Sequence, residues 1–248
     1  MDVLRGHLEH SLTDPGPRID VFPARKSLRS RASLVIFPGG GYAGLADYEG
    51  EGYARHFSAH GIACFVVEYR LGAQGFRHPA MLEDALAAIG TIRERAAELG
   101  LAADRIGVMG SSAGGHLAAL SLVGHGRYES STSLRPDFGV LCYPVISMRD
   151  EFGHRGSRDS LIGESPSPQA IDEVSCELHV TPATPPCFLW HTREDDVVSF
   201  QNSMLFAAAL HRSGVPFEIH VFDKGAHGLG QDLAHPWTLT CLHWLESR

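Results

Sequence analysis

Residues 105–116 read RIGVMGSSAGGH and hold Ser112 midway between Gly110 and Gly114, directly after an apolar run and directly before an alanine- and leucine-rich one. A hydroxyl is a weak nucleophile at its ordinary pKa. It needs a base to take its proton, a group that orients the base, and fixed donors for the charge that develops on the carbonyl it attacks. The chemistry this pattern points to is acyl transfer through a covalent intermediate. The pentapeptide alone is weak in a chain of 27 glycines, where the plainer reading is a glycine-rich connection between two elements. Its setting gives it weight: a sharp strand-to-helix turn holds a serine out of the sheet, and glycines are required where strand and helix come close. Ser111 is the rival hydroxyl, but only Ser112 is central between the glycines.

The remaining parts can be sought in order along the chain. Upstream, VIFPGGGY at 35–42 is a second apolar run that ends in glycines. Gly40 and Gly41 are the candidate N–H donors from this loop, and Ala113, at the positive end of the helix after the nucleophile, is the third. A phosphate loop is the alternative, but no Gly-Lys-Ser/Thr follows, and GGGYAG lacks the ordered GxGxxG with a distant acid. Downstream, WHTREDDVVSF offers Asp195 and Asp196. Asp195 is read as the acid, since it precedes the apolar pair by two positions and lets Val198 anchor the turn. Asp196 stays open as the alternative, and both could instead be solvated carboxylates capping a helix that begins near Gln201. The last apolar run, FEIHVF, leads into DKGAHGLG, whose glycines let a turn deliver the imidazole of His227 as base. Among its rivals, His220 lies within that run and is expected to point into packing, His116 sits in the helix after the nucleophile, and His191 precedes the acid loop.

Elements must exist to carry these residues. Apolar runs LVIF (from Leu34), IACFVV (Ile62), RIGVMG (Arg105), FGVLCYPV (Phe138), CFLWH (Cys187) and FEIHVF (Phe217) alternate with helical stretches that begin near Gly50, Pro79, Ala113 and Gln201. This alternation predicts an α/β fold, a mostly parallel central sheet with helices on both faces. The helix from Pro79 carries Met81, Leu82, Ala85, Leu86, Ile89 and Ile92 on one side, which should face the sheet. Alternation around Ile19 suggests an antiparallel edge pair. The stretch 147–186 is rich in Ser, Pro, Gly and charge and is the place for a small cap-like insertion, with short helices in SRDSLIGE and QAIDEV. The length calls for a single domain over 1–248.

Composition excludes other classes. A net charge of -8 speaks against a nucleic-acid partner, which needs a concentrated basic surface. No apolar stretch of about 18 residues is present, and MDVLRGHLEH lacks a signal-peptide core, so a cytoplasmic protein without a membrane partner is expected. The five cysteines are scattered without a CxxC pair and read as reduced filler. The fifteen histidines show no metal-ligand spacing, so neither a metal nor another cofactor is expected. A homo-oligomer is left open.

With PGGGY, the Ser112 turn, DDVV and GAHG in this order, and YRLG at Tyr69, RHPA at Arg77, RPDFGVLCYPVISM and VTPATPP between them, the chain resembles the acetyl xylan esterase and feruloyl esterase-like branch of the α/β-hydrolases. The resemblance implies the α/β-hydrolase fold, catalytic roles for Ser112, Asp195 and His227, an oxyanion role for the PGGGY glycines, and no cofactor. It also implies a short-chain ester as substrate, an acetylated sugar above all. Secreted members of that branch carry export signals, whereas this chain begins abruptly, so small acetylated sugars inside the cell are expected. A serine peptidase or amidase uses the same constellation, and a binding protein of this fold that has lost turnover is the reading from another class. Whether Arg77, His78, Tyr42 or Tyr143 touches substrate is not readable.

Overall fold

The computed structural model describes residues 2–5, 16–25 and 31–248. The expected runs form strands: β3 (Ser33–Phe37), β4 (Ala63–Glu68), β5 (Ile106–Ser111), β6 (Gly139–Cys142), β7 (Cys187–Thr192) and β8 (Phe217–Phe222). With β1 (Asp2–Arg5) and β2 (Arg18–Phe22) they make one eight-stranded sheet in the order β1-β2-β4-β3-β5-β6-β7-β8. β3 to β8 run parallel to one another, while β2 pairs antiparallel with both β1 and β4, the edge pair expected around Ile19.

Successive side chains of a strand point to opposite faces, and the core divides accordingly. Val35, Phe37, Val108, Leu141 and Leu189 enter one cluster with α2 (Ala80–Glu94), α4 (Ser112–Gly124) and α7 (Gln201–Arg212). Leu34, Ile36, Met109, Val140, Phe188 and Trp190 enter the other with α1 (Tyr53–Ala59) and α8 (Trp237–Leu245). Helices thus cover both faces. The apolar side of α2 is buried as expected, but the helix opens at Ala80 with Pro79 just before it. A short helix, α3 (Ala96–Leu99), follows and ends at Gly100.

Several elements differ from the sequence reading. The helix expected near Gly50 is preceded by a π-helical turn, Tyr48–Gly52, which runs into α1 at Tyr53. β6 stops at Cys142, because Tyr143 turns to φ 33° and Pro144 has no N–H for the ladder. α8 lies beyond the last element read from the sequence. β8 is an outer strand of the sheet and only half-buried: the His220 ring packs against Phe188 and stacks on Phe222, with centroids 5.4 and 6.0 Å apart, as expected, while its Nε2 lies 2.7 Å from Glu218 Oε1.

Residues 147–186 carry α5 (Arg155–Ile162) and α6 (Pro168–Glu173). Leu161, Val174 and Cys176 of this stretch are buried in the α2–α4–α7 cluster, and Asn202 of α7 accepts the N–H groups of Ile146 and Ser147 at 2.9 and 3.0 Å. All five cysteines are buried and unbridged.

Candidate active site

The carboxyl ends of β3, β5, β6, β7 and β8 bring the nominated residues together. Ser112 opens α4 with φ 53°, a conformation that costs a residue with a Cβ about 1 kcal/mol or more and places its hydroxyl above the sheet. The glycines around it are required by contact. A Cβ on Gly110 would lie 2.1 Å from the Gly114 carbonyl oxygen, and one on Gly114 would lie 2.1 Å from that of Phe37. Strand, turn and β3 therefore approach more closely than side chains permit. Ser111 points the other way: it is buried, and its hydroxyl donates to the Tyr53 oxygen at 3.1 Å.

His227 Nε2 lies 3.0 Å from Ser112 Oγ, and its Nδ1 lies 2.7 Å from Asp195 Oδ2. Asp195 Oδ1 accepts the N–H groups of Val197 and Val198 at 3.1 and 2.9 Å, and His191 Nε2 stands 3.3 Å from Oδ2. Burial works against the charge of Asp195, but hydrogen bonds from His191, His227 and the Val198 N–H outweigh it and hold the carboxyl well below the usual carboxylate range. Asp196 is exposed, and the start of α7 is served instead by Ser199, whose hydroxyl accepts the Gln201 N–H at 3.3 Å. Val198 is buried in the core, as its anchoring role requires.

The 39–42 loop is a closed turn in which the Gly40 carbonyl accepts both Ala43 and Gly44 N–H at 3.0 Å. Gly40, Gly41 and Tyr42 all have positive φ, at 126°, 66° and 59°. The Gly39 amide is committed to Glu49 at 2.7 Å, and Gly40 and Gly41 follow it in the chain. The N–H of Ala113 falls in the first turn of α4, where no carbonyl of its own helix can reach it.

Residues 19–210 match the family described as BD-FAE. The chain belongs to this family. Among solved structures it is similar to an acetyl ester-xyloside bifunctional hydrolase from Caldicellulosiruptor lactoaceticus, at 42% identity and a TM-score of 0.86 over 93% of this chain and 88% of that one. Among characterised sequences it is 35% identical over 207 residues to endo-1,4-beta-xylanase B of Butyrivibrio fibrisolvens, covering 80% of this chain and 32% of that protein. It is 31% identical over 206 residues to an acetylxylan esterase of Xylanibacter ruminicola, covering 81% of this chain and 42% of that protein. The chain thus spans less than half the length of these two relatives. The fold of this BD-FAE member is that of the α/β-hydrolases.

Other residues of the BD-FAE chain that the sequence singled out have the following partners. Tyr42 is fully buried, and its hydroxyl donates to His116 Nδ1 at 2.7 Å, while His116 Nε2–H donates to the Val174 carbonyl at 2.7 Å. Burial lowers the His116 pKa to about 4, so the ring is neutral, and the carbonyl, which only accepts, fixes the proton on Nε2. Arg77 and His78 are not paired with each other. Arg77 is exposed and donates to the Gly72 and Phe76 carbonyls at 2.9 and 2.7 Å, while His78 Nε2 stands 4.0 Å from Glu173. Tyr143 is buried and packs edge-on against the His227 ring, with centroids 5.1 Å apart.

Two residues near the site escaped the sequence reading. His154, just before α5, lies within electrostatic reach of His227 and Asp195. Glu49, in the π-helical turn, is buried beneath the loop. Glu49 follows Gly39 by ten positions in DYEGEG, where nothing local separates it from the exposed Glu51.

Proposed function

We propose that the chain is a serine carboxylesterase that removes short acyl groups, acetyl above all, from carbohydrate esters through an acyl-enzyme. The observation that carries this reading is the unbroken line from Asp195 through His227 to Ser112, with both links at hydrogen-bond length. Asp195, held ionised, orients the imidazole and keeps its proton on Nδ1, leaving Nε2 free to take the proton of Ser112 as its oxygen attacks the ester carbonyl. The tetrahedral oxyanion is received by the amides of Gly40, Gly41 and Ala113. His227 then returns the proton to the departing alcohol, and a water activated in the same way releases the acid and frees Ser112.

The sugar-ester assignment draws support from the relatives whose names carry acetylxylan and acetyl ester-xyloside hydrolysis. Among the described residues, no helix is long and apolar enough to cross a membrane, and the cytoplasmic location read from the sequence belongs to the same proposal. Acetate released from a panel of acetylated mono- and oligosaccharides tests the substrate class, and p-nitrophenyl acetate should be cleaved faster than the octanoate. Ser112→Ala is expected to lower turnover on the order of a million-fold and to abolish labelling by a fluorophosphonate probe. Retained turnover in that variant would remove Ser112 from the mechanism, and a peptide preference over every ester would replace the esterase reading by a peptidase.

A further inference from the structure

Beneath the nucleophile lies a carboxylate to which acyl transfer as described gives no task. Glu49 is 2% exposed. Its Oε2 accepts the Gly39 N–H at 2.7 Å, and its Oε1 accepts the Tyr143 hydroxyl at 2.7 Å. The Tyr143 oxygen is 3.2 Å from that of Tyr53, which in turn accepts the Ser111 hydroxyl at 3.1 Å. A Cβ built on Gly39 would lie 2.3 Å from Glu49 Oε2 and 3.2 Å from Ser112 Cβ, so the carboxylate abuts the loop where it passes the nucleophile. The same network reaches the base: Tyr143 walls the His227 ring, and a Cβ on Gly230, three residues after His227, would collide with the Tyr53 and Tyr143 oxygens at 1.7 and 2.5 Å.

A buried carboxylate is costly unless its oxygens are satisfied, and an amide or an apolar residue is the cheaper way to fill such a space. This position receives bonds on both oxygens from donors. An amide offers only one accepting oxygen, so Gln would set an N–H against the Gly39 N–H or rely on a reversed Tyr143 hydroxyl. The titratable groups that face Glu49 are Tyr48 beside it, Tyr53 on α1, Tyr143 after β6 and His227 in the base loop. Burial pushes its pKa up, and the bonds from Tyr143 and Gly39, the charge of His227 and the bond from Tyr48 oppose that rise.

We propose that Glu49 is a positioning residue of the esterase: by accepting the Gly39 N–H and the Tyr143 hydroxyl, it fixes the Gly40–Gly41 donors relative to Ser112 and holds the wall behind His227. The inference rests on the ester-hydrolase reading above. Donors aimed at a charge that appears only in the transition state lose much of their effect when displaced by a fraction of an ångström. The loss should therefore fall on kcat and leave KM nearly unchanged.

The test compares kcat and KM for p-nitrophenyl acetate in the wild type, Glu49→Gln and Tyr143→Phe, with circular dichroism and thermal unfolding fixing the folded fraction. Glu49→Gln is expected to lower kcat about 10- to 100-fold with KM within about threefold, and Tyr143→Phe, which cuts one of the two bonds, to lower it less, about tenfold. A wild-type protein with neither turnover nor fluorophosphonate labelling overturns the esterase reading itself. An active wild type beside a folded Glu49→Gln with unchanged or raised kcat, or with the loss in KM alone, overturns the positioning role. If Glu49→Gln yields no folded protein, Tyr143→Phe decides, and an unchanged kcat there overturns the role.

Discussion

Asp195 and Asp196 are identical in chemistry and opposite in surroundings. The first is buried and accepts two backbone N–H groups and the His227 imidazole, while the second is exposed. Only a carboxylate whose charge is already met by fixed donors can orient an imidazole without competing for solvent. Asp195→Asn should keep the geometry but lose the preference for a proton on Nδ1, so kcat is expected to fall about ten-thousand-fold. Asp196→Asn, at the surface, should stay within about twofold of wild type. Rates on p-nitrophenyl acetate check both, and a matching loss in the second variant would reassign the acid.

At the scale of elements, the β5–α4 turn depends on absent side chains. Gly114→Ala places a methyl 2.1 Å from the Phe37 carbonyl, backbone that belongs to the central strand β3 and has little room to retreat. The variant should lose roughly 1–3 kcal/mol of stability by urea titration and most of its turnover, since Ser112 moves with the helix. An unchanged midpoint would mean that α4 can shift without consequence. The same turn explains what was legible. Ser112, its glycines and the strand before it are contiguous in sequence, and the acid and base loops follow apolar runs of ordinary strand length, so local pattern sufficed. β8 reads as a strand but not as an outer one, because which strand ends a sheet is decided by pairing. The stripe of α8, Trp237, Cys241, Trp244 and Leu245, spans barely two turns and follows a proline-containing loop, too short to stand out. Glu49 was invisible for a deeper reason: its role exists only once the π-helical turn folds under a loop ten residues away.

Across the whole molecule, the non-glycine residues with positive φ among those described are Tyr42, Ser112 and Tyr143, all at the carboxyl rim of the sheet. The strain is gathered where the chemistry is, and the two packed faces hold it in place. Burial likewise lowers the pKa of several histidines, His116 to about 4 and His78, His125 and His154 in the same direction. A lowered folded pKa means that the unfolded chain binds the proton first, so the contribution of these histidines to stability is present above about pH 6.5 and is lost as pH falls toward 4. For His116 alone, the decline amounts to about 3 kcal/mol. Urea midpoints measured from pH 7 to pH 4.5 should fall, and His116→Gln should flatten that slope. A slope unchanged by the substitution would place the proton uptake elsewhere.

The base hangs from β8, which is bonded to β7 on one side and forms the margin of the sheet, whereas Ser112 springs from its centre. Margins fray first on heating, because their opening exposes the least apolar surface. Warming should thus part the imidazole from the hydroxyl while the interior tryptophans Trp190 and Trp237 still report an intact core. Catalysis would fade several degrees before the fluorescence transition and return in full on prompt cooling.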